Sequence, residues 1–163
     1  MMYSIVLYPT PGIGHLVSMI ELGKLILEYC PSFSITILII PPPLNTGLTG
    51  HYINRISSTT ASITFHHLPA ISISPNSISS PRHKTLIFEV VRLNKPNVHK
   101  ALLTISKTSS IRAFIVNTFC TTPDVAASFN LPLYYFYTLG AADLSVILYF
   151  PTIHKNTTES SKT

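Results

Sequence analysis

Between residues 34 and 40 the chain reads Ser-Ile-Thr-Ile-Leu-Ile-Ile and then meets three consecutive prolines, Pro41, Pro42 and Pro43. A run this dense in β-branched side chains, with no polar alternation, suits a strand covered on both faces. The prolines end it because they donate nothing to a ladder. Strands covered on both faces belong almost exclusively to parallel sheets flanked by helices. Shorter runs of the same kind recur at 4–8, 62–66, 113–116 and 133–136, with helical patterns between them. In 14–29 the polar Glu21, Lys24 and Glu28 share one face, and Leu16, Ile20, Ile26 and Leu27 fall on others. In 84–106, Leu86, Val90, Leu93, Ala101, Leu102 and Ile105 recur at helical spacing, with Pro96 forcing a kink or a break. Residues 123–129 read as a short helix and 138–150 as a final apolar one. The stretch 45–58 reads as irregular or weakly helical, and 69–81, rich in Ser, Pro and Ile, as a long loop. The polar tail 154–163 is expected to lack fixed structure.

Strands that alternate with helices pair in parallel through right-handed crossovers. The expectation is a doubly wound α/β, Rossmann-like sheet in one domain, 1–153, followed by the tail. Ligands in this architecture gather at the carboxyl ends of the strands. Those ends are 8–15 after the first strand and 117–120 after the fourth.

Hydrophobic residues make up 46% of the 163 positions and charged residues only 10%, less than half the usual share. Such a chain buries a core and keeps apolar surface to spare, as one half of a two-domain protein would. The net charge of +5 reflects six acids against eleven scattered bases. With no basic run and no interleaved aromatics, nucleic acid is not an expected partner. Cys30 and Cys120 form neither a metal spacing nor a disulfide framework. No stretch reads as a signal peptide or a membrane span, so a cytoplasmic protein is expected. The sequon at Asn156 would then be idle. His51, His66, His67, His83, His99 and His154 show no metal spacing, and no metal is expected.

The most informative segment is Pro9-Thr10-Pro11-Gly12-Ile13-Gly14-His15. It lacks the third glycine of a dinucleotide loop, since Val17 stands there, and it lacks the Gly-Lys-Ser/Thr of a Walker loop. A histidine at a helix start is held neutral and able to accept a proton. The same motif also reads as two glycines that permit a tight turn and a histidine that caps it. The motif alone leaves both readings open.

Three ordered segments carry a resemblance. They are Tyr8-Pro9 to Val17 followed by Glu21-Leu22-Gly23-Lys24, then Ile111 to Cys120, then Leu131 to Ala142. In this order they resemble plant family 1 UDP-sugar-dependent glycosyltransferases, nearest to those acting on flavonoids, isoflavonoids and chalcones. The similarity covers residues 4 to about 156 and corresponds to the N-terminal half, so the fold it implies is the N-terminal domain of a GT-B-type enzyme. It implies that His15 takes a proton from an acceptor hydroxyl, which attacks a UDP-sugar such as UDP-glucose with inversion. It also implies that the residue at 117 orients the ring. Gly14, Phe119 and Cys120 would line the site of a small phenolic acceptor, and Thr138 would touch the donor sugar. No cofactor beyond the UDP-sugar substrate is implied. The chain departs from the pattern at Asn117, where the family carries aspartate. Asp124, which opens a helix, and Asp143, in the final apolar helix, do not replace it. The family's donor-binding domain, with its tryptophan-bearing box, is expected to be absent, since the chain has no Trp. The expected result is a chain inactive by itself, self-associating through exposed cleft surface. The alternative is a non-catalytic module for apolar phenolics or a partner domain, or a truncated gene product.

Overall fold

The structure is a computed structural model that describes residues 2–41, 48–71, 83–117, 120 and 122–160. Five strands form one parallel sheet in the order β3-β2-β1-β4-β5. They are β1 (Met2–Tyr8), β2 (Phe33–Ile39), β3 (Ile63–His67), β4 (Ser109–Asn117) and β5 (Leu133–Phe136). The helices are α1 (Ile13–Tyr29), α2 (Leu48–Thr59), α3 (His83–Leu93), α4 (Lys95–Ser106), α5 (Pro123–Ser128) and α6 (Ala141–Ser160). The order reverses between β1 and β4, and the crevice of a doubly wound sheet opens at such a switch point.

Alternation along the central strands divides the core into two layers. Val6 and Tyr8 of β1, with Phe114 and Val116 of β4, face α3, α4 and α5 through Val90, Val91, Val98, Leu102 and Val125. Leu7 of β1, with Ile35, Ile37 and Ile39 of β2, faces α1 and α2 through Leu16, Met19, Ile20, Ile53 and Ile56. Both faces of β1 and β2 are therefore covered, as the unbroken apolar run of β2 requires. Helix α1 comes close to the sheet at Gly23, where an added Cβ would lie 3.3 Å from Ile35 Cγ2.

Several elements depart from expectation. The stretch read as irregular or weakly helical forms α2, because Ile53 and Ile56 bury against β2 and β3 and packing outweighs modest propensity. The break expected at Pro96 falls at Asn94, leaving Pro96 in the first turn of α4, where its missing donor costs nothing. Strand β4 begins four residues earlier than expected, pairing Ser109 with Met2 and Ser110 with Tyr3 across a bulge between Ser4 and Ile5. Helix α6 runs past Pro151 to Ser160, so the tail expected to be unstructured is helical that far. A helix already nucleated adds each further residue at little cost, which polar composition alone does not reveal. Most of the expected 69–81 loop lies outside the described residues.

Candidate functional site

The carboxyl ends of β1, β4 and β5 form one rim, and each carries a residue singled out from the sequence. After β1 the chain turns through Pro9-Thr10-Pro11 and enters α1 at Gly12, whose φ of 131° only glycine adopts readily. Among the described residues no side chain caps this helix, whose first N–H groups lack partners within the helix. His15 is its third residue and is half-buried. Burial holds its imidazole below the ordinary histidine range, and the neighbouring helix N-terminus acts in the same direction. His15 is therefore neutral at pH 7 and can accept a proton. Gly14 is exposed, and among the described residues a side chain there would meet nothing within 4 Å. Among the described residues no carboxylate pairs with His15. Asp124 is held by Lys95 at 3.1 Å, and Asp143 sits in the first turn of α6.

Asn117 ends β4 and is buried. Its Nδ2 donates to the Phe136 carbonyl at 3.3 Å, and its Oδ1 accepts from the Thr10 hydroxyl at 2.9 Å. The carbonyl of Phe136 can only accept, so the amide nitrogen must face it and the amide oxygen must face Thr10. Neither bond goes to His15, whose ring the resemblance had residue 117 orienting. Thr10, missed from the sequence, is thus the centre of a buried polar group at this rim. Its one signal was a small hydroxyl between two prolines at a strand end.

Cys120, expected at the wall of an acceptor site, is 1% exposed in the core layer beneath the rim, with its thiol donating to the Tyr8 carbonyl at 3.6 Å. Burial pushes that thiol up to about 12, so it stays protonated at neutral pH. Burial likewise raises the Tyr8 phenol, whose hydroxyl has no partner among the described residues. Thr138 is half-buried in the turn between β5 and α6, on the same rim. Phe119 lies outside the described residues. Among the described residues no three His, Cys, Asp or Glu side chains come together to hold a metal ion, and no helix is long and apolar enough to cross a membrane.

The chain is 48% identical over 152 residues to UDP-glycosyltransferase 88B1 of Stevia rebaudiana, a match covering 93% of this chain and 32% of that protein. It is 41% identical over 174 residues to isoflavone 7-O-glucosyltransferase 1 of Glycine max, covering 98% of this chain and 36% of that one. The solved structure of Medicago truncatula UGT71G1 complexed with UDP-glucose is similar at a TM-score of 0.79 and 26% identity, over 92% of this chain and 32% of that one. Phytolacca americana apo UGT2 is similar in fold at 0.81 with 23% identity, over 94% and 33% of the two chains. No protein-family model matches. The chain spans about a third of the length of the curated relatives it matches.

Proposed function

We propose that this chain, whose homologues are plant UDP-glycosyltransferases matched over the N-terminal part of their length, is an acceptor-binding half that presents a histidine base to a small phenolic hydroxyl. The observation that carries the reading is His15: neutral, half-exposed, at the carboxyl end of β1 beside the switch point, with no described residue within 4 Å of a side chain at Gly14. Its imidazole would take the acceptor's hydroxyl proton as the oxygen attacks the anomeric carbon of a UDP-sugar. The bond to the UDP oxygen breaks on the opposite face, which inverts the centre and releases UDP. Gly14 and Thr138 would border the acceptor and the donor sugar respectively. The UDP-sugar would be held by a second domain, and the chain alone transfers no sugar. A cytoplasmic location goes with this chemistry.

Charge sets the limit on rate. Imidazolium forms as the proton moves, and a neighbouring carboxylate would stabilise it, whereas Asn117 carries no charge. In a serine protease the corresponding Asp→Asn change lowers turnover about 10⁴-fold. A second reading, a non-catalytic module for apolar phenolics or for a partner domain, draws support from the engagement of Asn117 by Thr10 and Phe136.

The test uses the purified chain, alone and fused to the donor-binding part of a relative, with UDP-glucose and an isoflavone. Calorimetry should show no UDP-glucose binding by the chain alone, and the fusion should glucosylate slowly in a way that His15→Ala abolishes. A fusion whose turnover is indifferent to His15→Ala removes the base and leaves the binding module. Turnover by the chain alone overturns the need for a second domain.

A further inference from the structure

The buried polar group at the rim joins three strand ends, the first of them more than a hundred residues from the other two in sequence. Thr10 follows β1, Asn117 closes β4 and Phe136 closes β5. The acceptors fix the orientation of the Asn117 amide. Phe136 and Tyr8 offer carbonyls that only accept, so Asn117 Nδ2–H goes to the first and Cys120 Sγ–H to the second. Thr10's single hydrogen goes to Asn117 Oδ1, and its hydroxyl oxygen, 3.8 Å from Cys120 Sγ, is a second acceptor within reach of the thiol. The backbone N–H of Cys120 returns to the Asn117 carbonyl at 2.9 Å.

We propose that Asn117 is a positioning residue that ties the loop bearing His15 to the end of β5, and that this tie demands an amide and not a carboxylate. An ionised aspartate could still accept from Thr10, but it has no hydrogen for Phe136. It would set one acceptor against another inside the protein, where an unmatched pair is costly. The amide is therefore matched to both of its neighbours. Asn117 acts on His15 through Thr10: holding the 9–12 turn fixes where α1 begins, and so how far the imidazole sinks between water and sheet. This deepens the general-base reading, but its test needs no sugar transfer.

The experiment compares the full chain with Thr10→Ser, Thr10→Val and Asn117→Asp, measuring melting temperature at pH 7 and the His15 imidazole titration by NMR. Thr10→Ser keeps the donor and should match the parent in both. Thr10→Val should melt about 5 °C lower, and His15 should titrate closer to the ordinary range because the loosened turn lets water reach the ring. Asn117→Asp should also melt lower at pH 7, where the new carboxylate opposes the Phe136 carbonyl. Two results overturn the proposal: Thr10→Val that leaves the His15 titration unmoved, or Asn117→Asp as stable as the parent at pH 7. Should Asn117→Asp not fold at all, the Thr10 pair still decides.

Discussion

The two sides of this sheet are built from the same kind of sequence and meet opposite fates. Strands β1 and β2 are apolar on both faces, and helices cover both, so Val6, Leu7, Ile35 and Leu38 have no exposure. Strand β5 is also apolar on both faces, yet Tyr134 and Tyr135, which point to opposite sides, stay 57% and 52% exposed. Helix α6 is more apolar than α2, yet Leu148 is 71% and Phe150 61% exposed, and Val146, Ile147, Tyr149 and Ile153 are exposed as well. The difference lies in what surrounds each segment. Apolar patterning states that a segment is to be covered, and only its neighbours determine whether it is. The β5–α6 side carries the surface that a partner, a second domain or another copy would cover.

Two substitutions test this contrast where the effect is largest. Phe114 is fully buried in β4 and stacks on Tyr8 with ring centroids 6.3 Å apart. Phe114→Ala should cost about 3–5 kcal/mol, through lost burial and the cavity left behind. Tyr135→Ala removes a ring of similar size one strand away, and should cost within about 1 kcal/mol because half of it is already in water. Urea melts of both variants check the pair. Equal losses would mean that β5 is as well packed as β4, and the contrast would fail.

The uncovered side should also announce itself in solution. Exposed aromatic and aliphatic side chains along 146–150 present an apolar surface of several hundred Å², about the upper end for a free monomer. The chain should bind a hydrophobic dye and self-associate in sedimentation. Leu148→Glu with Phe150→Lys should remove most of both while leaving the melting temperature within about 2 °C, since neither side chain contributes to the core. A monodisperse parent that ignores the dye would show that α6 needs no cover.

The same contrast explains what could be read from the chain alone. The parallel sheet, its order of elements and the rim at His15 were legible, because the period of apolar residues and the Pro and Gly breaks are local signals. The bounds of β5 were legible for the same reason. Helix α2 was not, since its register depends on Ile53 and Ile56 finding β2 and β3, which are distant in sequence. The burial of Cys120 and the partners of Asn117 were illegible too, because both depend on Tyr8, Thr10 and Phe136 meeting across three strand ends. A resemblance supplies roles by position, but hydrogen-bond partners come only from the assembled rim.

A smaller effect separates two glycines that open the same kind of helix on the two sides. Gly12 precedes α1 at φ 131°, a conformation that L side chains rarely adopt. Gly140 precedes α6 without a positive φ, and an added Cβ would meet Asp143 Oδ2 at an ordinary 3.5 Å. Gly12→Ala should therefore cost about 1–2 kcal/mol, while Gly140→Ala should stay within about 0.5 kcal/mol of the parent. Thermal melts of the two variants sharpen the comparison. A Gly140 loss as large as the Gly12 loss would place hidden strain at the start of α6.

The smallest expected effect asks whether charge, rather than apolar cover, distinguishes the well-packed side. Lys95 of α4 reaches Asp124 of α5 at 3.1 Å, joining two helices of the covered layer. The bond from Lys95 holds the Asp124 carboxyl below the usual range. A carboxyl depressed by folding contributes stability above its unfolded value and loses it as pH falls through the folded one, so the window lies below about pH 4. The pair is largely solvated and screened by salt, which limits it to about 0.5 kcal/mol. Asp124→Asn should therefore lower stability slightly at pH 7 in low salt, and the gap should close at 0.5 M salt and again as the pH falls below that window. Melting curves of parent and variant at two salt concentrations and a series of pH values decide the matter. A loss at pH 7 exceeding that of Gly12→Ala would make ion pairing a principal support of the covered layer, and exposure at β5–α6 would then no longer account for the difference between the two sides.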